Sequence, residues 1–291
     1  MTDDVAAPPA RDSYIDFMRA FSLLIVVAWH WVFTIVIWKD DGPHATNPIG
    51  FTTGLWAVTW LLQVMPLFFY VGGYSHLVAW RRAQAKGEHL GSFVLRRLRG
   101  LAVPALSLLG VWIALGIALG AIFNLRWIGR AVFLVVSPLW FMGVYLMLIA
   151  LLPVFLWLHE RWDTVVLVFL AAIAGAVDII RFRYGYEWLG IVNMIAVWAL
   201  CHQLGFFYER LVHAARRADW TLLWAGLAAL CGLVASGLYP GSMVGVPGET
   251  SNMAPPTLCI VALVAFQAGV AEVLRPRVEL RLQRARWQRV N

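Results

Sequence analysis

The segment that decides the fold is YIDFMRAFSLLIVVAWHWVFTIVIW, from Tyr14 to Trp38. It is long enough to cross a bilayer as one helix, yet it carries Asp16, Arg19 and His30. At about 100° and 1.5 Å per residue, Arg19 and His30 lie on one face of such a helix, roughly 16 Å apart. Ionisable groups in a membrane helix normally face a bundle interior or an aqueous cavity. The segment therefore predicts a first membrane helix whose polar face lines a functional cavity.

The composition of the chain indicates a membrane protein. Its 291 residues are 61% hydrophobic and 13% charged, whereas soluble domains are about 45–50% apolar and about 25% charged. Apolar runs of spanning length occur at residues 14–38, 54–80, 101–123, 131–158, 164–180, 188–209, 221–239 and 254–274. We therefore predict an all-α fold, a polytopic transmembrane helix bundle of about eight helices in the lipid bilayer.

The basic residues lie between the apolar runs and predict the orientation. With the N-terminus inside, eighteen of the 23 Lys and Arg residues fall on the cytoplasmic side and five on the other, as the positive-inside rule requires. Topology thus explains the net charge of +7, and we expect no nucleic-acid partner. We predict a multi-pass protein of the inner (plasma) membrane with both termini cytoplasmic. Its parts are a tail at 1–13, a transmembrane domain at 14–274 and a basic segment at 275–291.

The polar face of the first helix supplies the candidate catalytic residues. His30, held in an apolar cavity, is suited to act as a general base for an acceptor hydroxyl. Arg19 is suited to an anionic or carbonyl group, and Asp16 lies three residues earlier on the same face. Each also has a structural explanation, because His30 could hydrogen-bond a neighbouring helix and Arg19 could reach the cytoplasmic interface. Their shared face favours the functional interpretation.

A second group of polar residues lies in and beside the polar connector between the second and third apolar runs. The segment FVLRRLRGLAVPAL, residues 93–106, carries Arg96, Arg97 and Arg99. Arg96 and Arg99 are three residues apart and share a helical face at the membrane surface. Guanidinium groups suit the phosphates of a cytoplasmic cofactor, although the same arginines could serve only as topology signals. Ser75, at the preceding cytoplasmic boundary, is a further candidate at that site.

Residues later in the chain are candidates for substrate binding. Trp140 and Tyr145 lie where Pro138 interrupts the fourth apolar run, which a packed kink would also explain. Asn252 belongs to a predicted outer loop, residues 240–257, that is rich in turn formers. From there it could reach over the mouth of the bundle.

The glycine pair and the cysteines have structural explanations. Gly72 and Gly73 permit close approach of a ligand or of a neighbouring helix, and the helix interpretation is favoured. The three cysteines fall within apolar runs and lack metal-ligand spacing, so we predict no metal site.

Several stretches of the sequence resemble the membrane acyltransferase family 3. They are RDSYIDFMRAFSLLIVVAWH, FFYVGGYS, RRLRGLAVP and PLWFMGVY, while NMIAVWALCHQLGFFY and SNMAPPTL are similar to a stand-alone, actinobacterial-type branch. Arg19 and His30 match the Arg-x10-His motif of that family's first helix. Arg96 and Arg99 match the Arg-x-x-Arg pair at the start of its third helix. The similarity covers nearly the whole chain.

The resemblance implies that residues 14–274 form an integral membrane O-acyltransferase. Such an enzyme moves an acyl group, often acetyl, from cytoplasmic acyl-CoA to a hydroxyl of a sugar, a surface glycan or a secondary metabolite. The three arginines and Ser75 would hold acyl-CoA, with acetyl-CoA as the expected donor. His30 would deprotonate the acceptor hydroxyl or carry the acyl group itself, with Arg19 and Asp16 beside the donor.

Two alternatives stay open at this level. The resemblance implies ten helices, whereas eight runs are present and RWQRVN, residues 286–291, resembles the lead-in to a ninth. We therefore expect the last two helices to be missing, which makes an inactive truncated remnant one alternative. The other is a membrane transporter or lipid-linked-sugar flippase with a polar midplane site. It predicts internal pseudo-symmetry and substrate movement without consumption of acyl-CoA.

Overall fold

A computed structural model describes the backbone of residues 12–290 and the side chains of residues 12–284. The predicted tail therefore lies almost wholly outside the described residues, as do the side chains of the RWQRVN segment. The helices in chain order are α1 Ser13–Phe33, α2 Thr59–Leu62, α3 Met65–Gln84, α4 Leu90–Phe123, α5 Ile128–Val136, α6 Trp140–Ala150, α7 Leu152–Trp162, α8 Val165–Tyr184, α9 Gly190–Phe206, α10 Tyr208–His213, α11 Arg216–Ala235 and α12 Leu258–Val290. Two strands, β1 Ile35–Lys39 and β2 Gly42–Thr46, pair antiparallel.

Eight helical stretches are long and apolar enough to cross a membrane, and each overlaps one of the predicted runs. They are Ser13–Phe33, Leu55–Gln84, Leu90–Phe123, Ile128–Ala150, Val165–Tyr184, Glu187–Phe206, Arg216–Ala235 and Leu258–Arg284. The predicted all-α, multi-pass fold is thereby confirmed. Within residues 12–290 the only strands are the two of the hairpin.

The first helix is shorter than the predicted 14–38. Asp12 caps its N-terminus, because the carboxylate accepts backbone N–H groups of the first turn. The helix ends at Phe33, and β1 follows directly. The β-branched residues of β1 favour extended backbone, and Gly42 supplies a φ of +116° at the turn. Part of the predicted polar connector is therefore a β-hairpin.

The hairpin is fixed to α5 at one end of the bundle. His44 Nε2 lies 2.7 Å from Asp41 Oδ1, and Arg130 of α5 pairs with the same carboxylate. The hydrogen bond with His44, together with the Arg130 charge, lowers the pKa of Asp41 below its ordinary value. The Trp38 ring packs edge-on against Trp127, with centroids 4.9 Å apart. The hairpin therefore bridges the ends of α1 and α5.

Helices α3 and α9 pack backbone to backbone at the centre of the bundle. A Cβ on Gly73 would lie 1.9 Å from the carbonyl oxygen of His202. A Cβ on Gly205 would lie 2.0 Å from the carbonyl oxygen of Tyr70. Small residues allow membrane helices to approach this closely and to gain van der Waals contact. The helix-packing interpretation of Gly73 is thereby confirmed.

The fourth predicted helix, 131–158, is interrupted twice. A 3₁₀ turn at Ser137–Leu139 separates α5 from α6, and a second break at Leu151 separates α6 from α7. Pro138 and Pro153 each lie in the first turn of the segment that follows. Proline is tolerated there because that turn needs no backbone N–H. The first break lies immediately before Trp140.

The last helix begins and ends later than the predicted 254–274. Helix α12 starts at Leu258 and continues through the basic segment. Its Arg275 bonds Glu279 at 2.7 Å and lies over the Tyr14 ring. The Tyr14 hydroxyl donates to a backbone carbonyl of α12 at 2.5 Å. These contacts hold the start of α1 against α12.

Contacts between connectors agree with the predicted sidedness. We call the end of the bundle that holds the start of α1 and the end of α3 the inner end, and the opposite end the outer end. At the inner end, Arg81 pairs with Glu209 at 3.0 Å. At the outer end, Asn47 Nδ2 donates to the Gly245 carbonyl at 2.9 Å. In both cases the two partners lie in or beside connectors that the Lys and Arg count places on one side of the membrane.

A labelling experiment tests which end is cytoplasmic. In a protein without the three native cysteines, Gly91→Cys should react with a membrane-impermeant maleimide only after lysis or in inverted vesicles, because the Lys and Arg count places it inside. Gly91 is exposed, and a Cβ there would meet nothing within 4 Å, so the change should not disturb the fold. The control, Glu249→Cys in the outer loop, should react in intact cells. Labelling of Gly91→Cys from outside would overturn the orientation.

Candidate functional site

A cavity of about 350 Å³ lies at the inner end between α1, α3, α4 and α6. We call it the inner cavity. The periodicity of α3 explains part of its wall, because Ser75, Ala79 and Arg82 recur on one helical face. Polar residues of its wall include Asp12, Asp16, Arg19, Ser75, His76, Arg82, Arg97 and Tyr145.

The charges of the inner cavity favour an anionic ligand. Three guanidinium groups, those of Arg19, Arg82 and Arg97, line it. Asp16 lies 3.9 Å from Arg19. The other carboxylate, Asp12, is used structurally, since it caps α1 and accepts the Tyr208 hydroxyl at 3.0 Å. Planar guanidinium groups are well suited to phosphate and carboxylate.

The four residues predicted to hold a cofactor separate into two pairs. Arg97 and Ser75 line the inner cavity, and the Ser75 hydroxyl donates to the Val71 carbonyl at 2.8 Å. Arg96 instead makes an exposed ion pair with Glu88 at 2.7 Å. Arg99 is exposed and outside the inner cavity wall. Arg96 and Arg99 do share a face of α4, but Arg97, about 100° away from Arg96, faces the cavity.

Two buried histidines adjoin the inner cavity. His76 Nδ1 lies 3.0 Å from His202 Nε2, and the side chains are 1% and 0% exposed. Within the part of the chain that is described, His76 Nε2 and His202 Nδ1 have no hydrogen-bond partner. His202 otherwise packs on the rings of Phe155 and Phe206. Its one polar contact is therefore His76, which is itself part of the cavity wall.

A second cavity lies at the outer end, and we call it the outer cavity. It has two adjoining lobes of about 570 and 70 Å³. Both lobes are lined by Trp29, His30, Pro138, Trp140 and Val244. None of the described residues in its walls is Asp, Glu, Lys or Arg. The outer cavity is therefore an aromatic, uncharged site with an imidazole in its wall.

The two residues at the ends of the α1 polar face belong to different cavities. Arg19 lines the inner cavity and His30 the outer one. Leu23, which lies between them on the same face of α1, lines neither cavity, so the face is not one continuous polar channel. Of the predicted substrate-binding aromatics, Tyr145 lines the inner cavity and Trp140 the outer cavity.

Asn252, the third predicted substrate-binding residue, organises the outer loop. Its Nδ2 donates to the carbonyls of Pro240 at 2.6 Å and Ser242 at 2.9 Å. Its Oδ1 accepts the Thr257 hydroxyl at 2.7 Å. The side chain is fully buried, so its hydrogen-bonding groups are engaged within the loop.

Two residues of the inner cavity wall have only weak signals in the sequence. Arg82 is one of several basic residues in a connector, and His76 is a polar residue close to the end of an apolar run. The spacing from Ser75 to Arg82 would have placed Arg82 on the Ser75 face. No sequence signal pairs His76 with His202, because 126 residues separate them.

The chain is similar to one known family of proteins over most of its length. A family model described as an acyltransferase domain matches residues 12–281, almost the whole chain. Neither curated proteins nor solved structures yield a match.

A double-mutant cycle tests whether the two histidines support one another. His76→Ala and His202→Ala should each lower thermal stability in detergent, because the remaining imidazole stays buried without its hydrogen bond, at a cost of about 1–3 kcal/mol. The double variant should lose less than the sum of the two. Strictly additive losses would contradict a direct bond between the rings.

Proposed function

The chain belongs to the membrane acyltransferase family 3, and on that premise we propose that it is an integral membrane O-acyltransferase. The donor is acyl-CoA, acetyl-CoA in the first instance, bound from the cytoplasmic side. The acceptor is a hydroxyl of a sugar, a surface glycan or a secondary metabolite, bound at the outer end. The membrane is the plasma (inner) membrane.

The inner cavity supports the donor half of the proposal. The phosphates of coenzyme A are anionic, and Arg19, Arg82 and Arg97 line this cavity together. Arg96 is engaged with Glu88, so we assign the main phosphate contact to Arg97 rather than to the Arg96 and Arg99 pair. Ser75, in the same wall, provides a hydroxyl for the pantetheine amides or phosphates.

The outer cavity supports the acceptor half. The rings of Trp29 and Trp140 offer apolar faces on which a sugar ring or an apolar metabolite can lie. Because no charged side chain is among the described residues of its walls, we expect an uncharged acceptor. His30 is the basic group in this wall.

The observation that carries the proposal is the placement of Arg19 and His30 on one helix. They line cavities at opposite ends of the bundle and are roughly 16 Å apart along the axis of α1. An extended pantetheine arm bridges such a distance. The phosphates would stay among the arginines while the thioester reaches toward His30.

The transfer step follows from these positions. His30 takes the proton of the acceptor hydroxyl as the oxygen attacks the thioester carbonyl. The carbon–sulfur bond breaks, and the CoA thiolate takes the proton back from the imidazolium. In the alternative sequence the acyl group first transfers to His30 and then to the acceptor.

The first experiment separates the roles of His30 and Arg19. His30→Ala should bind acyl-CoA normally but lose transfer, since removing a general base lowers rates by about 10²–10⁴-fold. A larger loss would favour the covalent sequence. Arg19→Ala should lower both donor binding and turnover. The measurements are acyl-CoA binding and single-turnover transfer to a panel of hydroxylated acceptors.

Two outcomes of that experiment would contradict the proposal. Wild-type transfer by His30→Ala would remove the proposed chemistry. Movement of a substrate across the membrane without consumption of acyl-CoA would favour the transporter alternative instead.

A second experiment compares arginines on α4. Arg97→Ala should weaken acyl-CoA binding by about ten- to a hundredfold, because that is the affinity lost with one hydrogen bond to a charged group. Arg97→Lys should recover part of it, because lysine keeps the charge but not the planar fork. Arg99→Ala is the matched control and should have a smaller effect. A larger loss for Arg99→Ala would restore the assignment made from the sequence.

A further inference from the structure

An aromatic partition separates the two cavities, which have no lining residue in common among those described. On α6, Phe141 lines the outer cavity and Tyr145 the inner one. These two residues are four positions apart, which is about one helical turn, or about 6 Å along the axis of α6. On α3, Phe68 lies between Met65 in the outer wall and Ser75 in the inner wall. On α6 the partition is therefore about one turn thick, whereas on α3 the wall residues Met65 and Ser75 are ten residues apart, or about 15 Å.

The rings of the partition contact one another. The Phe68 ring centroid is 5.5 Å from that of Tyr145 and 6.4 Å from that of Phe141. Behind them, Phe69 is fully buried and packs on Trp198 at 4.9 Å. Phe68, Phe141 and Tyr145 are only partly buried. Phe69 forms the fixed back of the partition.

The absence of a side chain at Gly72 leaves room for the Tyr145 ring. A Cβ on Gly72 would lie 3.1 Å from Tyr145 Cε2 and 3.6 Å from its hydroxyl oxygen. The Tyr145 ring thus rests against the α3 backbone. A larger residue at position 72 would push the ring away. The two neighbouring glycines have different roles, since Gly73 makes the helix contact with α9.

We infer that Phe68, Phe141 and Tyr145 select the acyl group by size. The inference rests on the proposed function, in which the donor phosphates stay in the inner cavity and the acyl group reaches His30 in the outer one. The direct route between the cavities passes these three rings. Because the pantetheine arm itself has to lie between them, the discrimination falls on the acyl group beyond the thioester, in the lobe of about 70 Å³ that His30 and Phe141 line. A small group such as acetyl fits there, whereas a long or branched group needs the Phe141 ring to move aside.

The test compares donors of increasing length in the full chain. Membranes receive acetyl-, butyryl- or octanoyl-CoA with a pooled panel of alkyl glycosides, monosaccharides and aromatic alcohols. The measured quantity is the release of the CoA thiol with the acceptor panel minus the release without it. Phe141→Ala should raise the octanoyl-to-acetyl ratio of kcat/KM by about tenfold or more, the scale of discrimination set by a methylene-sized change in a pocket. Phe141→Leu should shift the ratio in the same direction by less.

The matched control is Phe133→Ala on α5. Phe133 is exposed and lines neither cavity, so this variant should keep the wild-type ratio. Acyl-CoA binding without acceptor confirms that each variant is folded. An unchanged ratio in both Phe141 variants, or an equal shift in Phe133→Ala, would overturn the size filter and leave the proposed function standing. Wild-type membranes that bind acyl-CoA but transfer no donor to any acceptor would overturn both.

Discussion

The close contact between α3 and α9 is the constraint on which the rest of the site depends. Gly73 and Gly205 each face a backbone carbonyl of the other helix at a separation that leaves no room for a side chain. Helix α3 carries wall residues of both cavities, with Met65 in the outer and Arg82 in the inner. Since an over-packed helix contact typically costs about 1–3 kcal/mol, a side chain at Gly73 would disturb the cavities as well as the core.

The two cavities differ in charge in a way that matches the two halves of an acyl transfer. Guanidinium groups gather at the inner end, where arginine side chains can reach the interface and their burial costs least. The outer cavity has an imidazole among apolar and aromatic residues. Phosphate binding needs the first environment, and the second offers an imidazole for proton transfer in an aromatic wall without charged side chains. One helix, α1, contributes to both, through Arg19 and His30.

The sequence predicts the helices well because hydrophobic length alone determines where a chain can span a bilayer. It also places Arg19 and His30 correctly on one helix, since helical periodicity fixes their relative direction. Periodicity pairs Arg96 with Arg99, however, without telling which face of α4 turns inward, and it is Arg97 that lines the inner cavity.

The sequence alone does not predict the features that depend on tertiary contacts. The pairing of His76 with His202 joins helices that are far apart in the chain. The hairpin after α1 depends on Arg130 and Trp127, which contact it from the start of α5 and the residue before it. The division of one expected cavity into two depends on the meeting of Phe68 and Phe141 from different helices.

In the proposed reaction, donor and acceptor meet from opposite ends of the bundle. Sealed vesicles of known protein orientation, with labelled acetyl-CoA confined to the side of the inner cavity, test this arrangement. The acceptor panel is added either to the other side only or to the same side only. The account predicts that acylated product forms when the acceptor is on the outer-cavity side. Product that forms only when donor and acceptor share the inner-cavity side would contradict it.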